Sequence, residues 1–178
     1  KETADTAIEA SLTGHLVFST LHTNSAVESL TRLINMGIQP YLLTSSLELI
    51  IAQRLVREVC QKCKKEAVVS ADMMEMIKKA MSEMKAEGEI EPELLKGMKF
   101  YEAVGCDECN HIGYKGRIGL YEVLRMNNEI RNLLSENATM IKIQEAALKN
   151  GMVTLEQAGI VKALQGKTTI EEVYRVAR

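Results

Sequence analysis

Thr13-Gly14-His15-Leu16-Val17-Phe18-Ser19-Thr20-Leu21-His22-Thr23-Asn24 is the stretch on which the fold turns. Residues 16–21 form a short apolar run rich in strand formers, the pattern of a strand buried on both faces. Upstream, Ala4, Ala7, Ile8 and Ser11 fall on one side of a helix over residues 3–11, which Gly14 ends. Downstream, Ser25 with Glu28 makes a capping box ahead of Val27, Leu30, Leu33 and Ile34, and Gly37 stops that helix. Helix, strand and helix in this order predict an α/β layer rather than an all-helical bundle.

Outward from there, Pro40 opens a third helix, predicted to run through Leu47 and Ile50 towards Gln53. Residues 99–104 and 118–124 read as strands around a stretch containing Gly105, Gly113, Gly116 and Gly119. From Asn127 the pattern becomes regular helix. Asn127 caps a segment burying Ile130, Leu133 and Leu134, Thr139 starts another, and Gly151 lies just past its end. Thr154 with Gln157, and Thr169 with Glu172, make two further capping boxes.

The 178 residues suffice for one compact domain or two small ones, and 46% are hydrophobic, which supports a buried core. Aromatics make up 4%, Trp is absent and Met numbers 10, a balance that favours helices packed with Leu, Ile and Met. Net charge is -2, which gives no electrostatic case for a nucleic-acid partner. The polar opening Lys1-Glu2-Thr3-Ala4-Asp5 is unlike a signal peptide, and the longest apolar stretch, residues 41–51, is broken by Thr44, Ser45, Ser46 and Glu48. The chain therefore reads as soluble and cytoplasmic. It opens without a Met, as a fragment would.

All four cysteines stand in two C-x-x-C pairs, Cys60/Cys63 and Cys106/Cys109. Such a turn aims two thiolates at one point about 3.5–4 Å apart, and two turns complete a tetrahedral zinc site. Arg57, Lys62, Lys64 and Lys65 are expected to help keep the thiols deprotonated. The 42 residues between the pairs exceed the usual ribbon spacing of about 15–20. A looped-out insertion explains the excess: Met73, Ile77, Met81 and Met84 form one helical stripe, its mixed charges read as a solvated face, and Gly88 and Pro92 break it. A redox pair, a disulfide and simple buried thiols are the alternatives to zinc. No open coordination position is signalled, so the expected zinc is structural.

Gly166-Lys167-Thr168 imitates the end of a phosphate-binding loop. That motif also needs Gly five residues before the Gly-Lys pair, where this chain has Val161, and a preceding strand rather than a helix. Gly166 is better read as a helix C-cap. His15 and His22 flank the apolar run; two imidazoles with hydroxyl groups at strand ends suit the ligand-binding carboxyl edge of an α/β sheet, although such a His is more often structural.

The stretch 13–24 resembles the "His box" of the type II secretion and type IV pilus ATPases, a superfamily of ring-forming RecA-like motors. Glu2-Thr3-Ala4 is similar to the segment after their Walker B motif. Ala52-Gln53-Arg54-Leu55-Val56-Arg57, the paired cysteines and the post-zinc strand Gly113-Tyr114-Lys115-Gly116-Arg117-Ile118-Gly119-Leu120-Tyr121-Glu122 follow in the family's order.

The resemblance implies a helix-rich α/β chain: residues 1–59 as the C-terminal part of a RecA-like core, 60–109 as a four-cysteine zinc subdomain, 110–126 as a return strand and 127–178 as a helical bundle. It implies a homo-hexamer on the cytoplasmic side of the inner membrane, working with platform and adaptor proteins and using ATP and Mg²⁺. The paired cysteines point to the secretion and pilus-extension branches rather than to retraction. His22 and, less strongly, His15 become catalytic candidates near the nucleotide phosphates. Arg32, Arg54 and Arg57 become phosphate or interface contacts, with surface ion pairing as the alternative, and Arg117 with Glu122 reads as a strand-face pair. The chain supplies neither a Walker A lysine nor a Walker B acid, so alone it is not expected to hydrolyse ATP. A zinc-dependent docking module without enzymatic activity, and a zinc-ribbon nucleic-acid binder, are the competing readings.

Overall fold

The computed structural model describes residues 2–84 and 97–177. The described elements are α1 (Glu2–Leu12), α2 (Ala26–Asn35), α3 (Pro40–Ser46), β1 (Leu49–Val59), β2 (Lys65–Ala67), α4 (Ala71–Ser82), β3 (Phe100–Glu102), β4 (Tyr114–Arg125), α5 (Asn128–Ser135), α6 (Met140–Lys149), α7 (Leu155–Leu164) and α8 (Ile170–Val176). A 3-10 turn at Asp107–Cys109 carries the last cysteine. Strand β1 pairs with β4, and β2 with β3 in antiparallel register, Glu66 opposite Tyr101. The chain is thus mixed helix and sheet. It resolves into two compact units, one of residues 1–52 and 123–152, the other of residues 53–122 and 153–178.

In the first unit the caps form where the sequence places them. Ser25 accepts the Glu28 N–H, Asn127 that of Ile130 and Thr139 that of Lys142. The Glu28 carboxylate reaches back to the Asn24 N–H at 2.8 Å, one residue before the expected partner. Helix α3 packs on α1 and α5, and α6 on α5 and α2. Arg131 ties the turn ahead of α5 to the end of α3: it donates to the Met126 and Thr44 carbonyls and pairs with Glu48 at 3.0 Å. Ile130, Leu134 and Ile143 are fully enclosed, whereas Leu133 is half-buried. Leu134→Ala should therefore cost about 2–5 kcal/mol in chemical denaturation, and Leu133→Ala clearly less.

Two expectations fail here. Residues 15–22 are exposed, with Leu16 82% and Phe18 87% accessible, and residues 15–23 form no strand. An apolar run becomes a buried strand only beside other strands and under covering layers, and no described strand lies alongside it. Helix α3 also stops at Ser46, and residues expected to continue it form β1. Leu47 and Ile50 lie three apart, as in a helix, but Ala52 and Val56 are buried between the exposed Ile51, Gln53 and Leu55 in the two-residue period of a strand.

The second unit has its core in Ile77, Met81, Phe100, Ile160, Ala163, Leu164, Ile170 and Val173. The insertion between the cysteine pairs carries the expected helix, with Ile77 and Met81 buried, Met73 and Met84 half-buried and Asp72, Glu75, Lys78, Lys79 and Glu83 exposed, but its stripe packs into this core rather than looping out. Helix α4 buries Ile77 and Met81 against α7, and Gln157 completes its capping box while donating to the Ala80 carbonyl at 2.9 Å. Gly88 and Pro92 lie outside the described residues. Nor do the four helices after Asn127 make one bundle: α5 and α6 belong to the first unit, α7 and α8 to the second.

Candidate metal centre and its surroundings

The first C-x-x-C sits in the turn leaving β1, where the Cys63 and Lys64 N–H groups both donate to the Cys60 carbonyl at 3.3 and 3.0 Å. The second sits on the 3-10 turn, preceded by Gly105 and followed by Asn110 and His111, both left-handed with φ of 52° and 60°. Gly105 has φ +107°, and a Cβ there would lie 2.6 Å from the His111 carbonyl oxygen, so the turn needs glycine.

These turns bring four free Sγ atoms within 4.8 Å of one another. Cys60 and Cys106 are 3.9 Å apart, and Cys63–Cys109 and Cys106–Cys109 each 3.8 Å. A tetrahedron with zinc–sulfur bonds of about 2.3 Å has edges of about 3.8 Å. A disulfide needs about 2.05 Å. The thiols therefore fit a metal ion held equally by both turns, the use their spacing predicts.

Of the four cations expected beside the sulfurs, Arg57, Lys62 and Lys64 have other partners. Lys62 and Lys115 pair with Glu108 at 3.0 and 3.1 Å, Arg57 pairs with Glu172, and Lys64 donates to the Gly166 carbonyl. Backbone amides take that role instead: Gly105 N–H points at Cys63 Sγ, and the Cys106 and Gly113 N–H groups at Cys109 Sγ, at 3.2–3.3 Å. Burial pushes the Cys63 thiol up to about 11, with only Gly105 opposing it. Burial also acts against ionising Cys109, but the Cys106 and Gly113 N–H donors, joined by the Cys106 and Cys63 thiols, prevail and bring it down to about 6.

A second polar centre, which the sequence showed only as half of a capping box, surrounds Glu172. Its carboxylate is fully enclosed. It accepts Arg175 at 2.6 and 2.9 Å, the Arg57 guanidinium at 2.7 Å and the Arg57 backbone N–H at 3.0 Å. The Arg57 guanidinium also lies 4.0 Å over the Tyr114 ring. Arg175 first, then Arg57, hold Glu172 far below the usual carboxylate range. A depressed acid stabilises the fold above its unfolded pKa of about 4.3, and that contribution fades as pH falls towards the folded value. Glu172→Gln should cost about 2–3 kcal/mol at neutral pH, moderated because both arginines keep solvent contact. In urea titrations the difference from wild type should shrink between pH 5 and 3, on the order of the window set by these values.

The remaining site residues are spread over both units. His15, His22 and Arg32 belong to the first, Arg54 and Arg57 to the second. The His15 Nδ1 lies 3.1 Å from Thr13 Oγ1 and 3.2 Å from the Ala10 carbonyl, at the C-terminus of α1. His22 and Arg32 are exposed. Arg57 is committed to Glu172, which favours ion pairing over a phosphate role for that residue. Arg117 and Glu122 are not a strand-face pair: five positions apart, they lie on opposite faces of β4, Glu122 buried with Leu120 and accepting the Leu155 N–H at 3.3 Å. Gln165 caps α7 and Gly166, the next residue, turns left-handed with φ +66°, the closing glycine expected at a helix end rather than part of a phosphate loop.

Compared with known proteins, residues 1–175 match the family described as type II/IV secretion system protein. The chain is 45% identical over 177 residues to the type IV pilus assembly ATPase PilB of Pseudomonas aeruginosa, covering 99% of this chain and 29% of that protein. It is 40% identical to the type II secretion system protein E of Aeromonas hydrophila, covering 99% and 32%. Among solved structures, the pilus retraction motor PilT with bound ADP matches with a TM-score of 0.59 and 26% identity over 98% of this chain and 36% of that one. The chain thus spans about a third or less of the length of these relatives. Among the described residues, no helix is long and apolar enough to cross a membrane.

Proposed function

Because the chain belongs to the type II/IV secretion system protein family, we propose that the full-length protein is an ATP-hydrolysing motor for type II secretion or type IV pilus assembly. This chain is its C-terminal part. The match along residues 1–175, rather than any one motif, carries the reading. In it the full-length protein has a RecA-like core, assembles as a homo-hexamer and works at the cytoplasmic face of the inner membrane beside platform and adaptor proteins. His22, just after the run at 16–21, lies near the γ-phosphate of Mg²⁺-ATP in that reading. Arg32 and Arg54 are offered as nucleotide or interface contacts. The four cysteines hold structural zinc, supported by sulfur–sulfur separations that match its tetrahedron.

ATP turnover by the purified full-length protein tests this directly. Mg²⁺-dependent hydrolysis by an oligomer is expected. Salt-sensitive DNA binding with no hydrolysis would instead favour the zinc-ribbon reading.

A further inference from the structure

Gly166, one residue beyond the cap of α7, is buried, and its carbonyl accepts two side-chain donors: Gln61 Nε2 at 3.1 Å and Lys64 Nζ at 2.9 Å. Gln61 lies inside the first C-x-x-C, and Lys64 follows it directly. The Lys64 ammonium also sits 4.4 Å over the Tyr101 ring and faces the negative end of α7. The approach is close: a Cβ on residue 166 would stand 2.7 Å from Lys64 Nζ and 3.0 Å from the Tyr101 ring.

The rest of the turn is bound to the same region. Val59 N–H donates to the Lys167 carbonyl at 2.9 Å, and Thr168 Oγ1 to the Arg57 carbonyl at 2.8 Å. Thr169 Oγ1 meets the Tyr114 hydroxyl at 3.0 Å and accepts the Glu172 N–H, so the cap of α8 belongs to this cluster.

We infer that the first cysteine turn is a metal-set latch on α8: a bound metal fixes Gln61 and Lys64 on the Gly166 carbonyl, and metal loss frees the 165–169 turn and the helix that follows. The physical reason lies in what places the two donors. Their backbone is set by the Cys60–Cys63 turn, which a shared ion ties to the second cysteine pair. Without that ion the first turn is joined to the second pair and its flank by thiol contacts, the Gly105 N–H···Sγ bond, the exposed Lys62–Glu108 ion pair at 3.0 Å and the Cys60 N–H to the Gly113 carbonyl at 2.9 Å, none of which fixes the Gln61 and Lys64 side chains. Two side-chain hydrogen bonds from a loosened turn do not hold a buried carbonyl, so the helix cap loses its support. The inference rests on the reading of the cysteines as a metal site.

Hydrogen exchange on the full-length protein, with zinc content measured alongside, tests it. Chelation should speed exchange by about tenfold or more at Val59 and Val173, the amides facing Lys167 and Thr169, while Ile143 in the other unit keeps its rate. A Gln61→Ala/Lys64→Ala variant should bind one zinc with an unchanged cobalt-substituted thiolate spectrum, yet already exchange fast at Val59 and Val173. If protein purified with zinc present holds none, the metal reading fails and the latch with it. If zinc binds but its removal leaves both amides protected, or the loaded double variant keeps wild-type protection, the latch is refuted while the metal site stands.

Discussion

Cys106→Ser should cost the second unit several of the roughly 10–16 kcal/mol by which structural zinc stabilises the folds that bind it. The loss should spread beyond the cysteine turns. Phe100, just before the second pair, and Ile77 and Met81 of the insertion share one core with Ile160, Leu164, Ile170 and Val173. Loosening the turns therefore loosens the packing of α7 and α8. Helices α5 and α6 bury Ile130, Leu134 and Ile143 in the first unit and should keep their protection. Thermal unfolding with and without chelator, followed by limited proteolysis, measures this: cleavage is expected within 155–176 before 128–149. A wild-type protein free of zinc and melting at the same temperature as the loaded form would sink the structural role.

The sequence was informative where the chemistry is local or leaves few alternatives. Ser25, Asn127, Thr139, Thr154 and Thr169 all cap the helices they precede, because a cap needs only the next three residues. The cysteine cluster was equally legible, since two C-x-x-C turns have few other uses. Readings that depend on distant partners failed. The stripe Met73, Ile77, Met81 and Met84 shows which face of the insertion helix is apolar, but nothing near Ile77 in sequence says that Phe100 and Ile160 enclose it. Glu172 looks like a capping carboxylate until Arg57, 115 positions earlier, is seen to claim it. The run at 16–21 has the composition of a buried strand without showing which strands flank it.

On the proposed reading of the full-length protein as a hexameric ATPase, His22→Ala should lower kcat for ATP hydrolysis about 10–100-fold, the size expected of one hydrogen bond to developing charge, while changing ATP binding far less. His22 is exposed, but the chain beside it is fastened: Thr23 Oγ1 lies 2.8 Å from Ser29 Oγ, and Asn24 N–H is held by Glu28. An imidazole one residue from a fixed point can be placed reproducibly once a subunit closes on nucleotide. A contact made only on closure is stronger in the transition state than in the bound ground state, and such contacts act on kcat. Because the side chain is exposed, its removal should shift stability by no more than about 0.5 kcal/mol, so lost turnover cannot be traced to unfolding. His15 gives the contrast. Its ring lies against the Ala10 carbonyl at the end of α1, so His15→Ala should fray that helix and leave kcat per folded hexamer nearly intact. Turnover and melting temperature measured on the same preparations separate the two histidines. A well-folded His22→Ala protein with wild-type kcat would end the phosphate-sensing role and leave His22 a solvent-facing residue of the segment between α1 and α2.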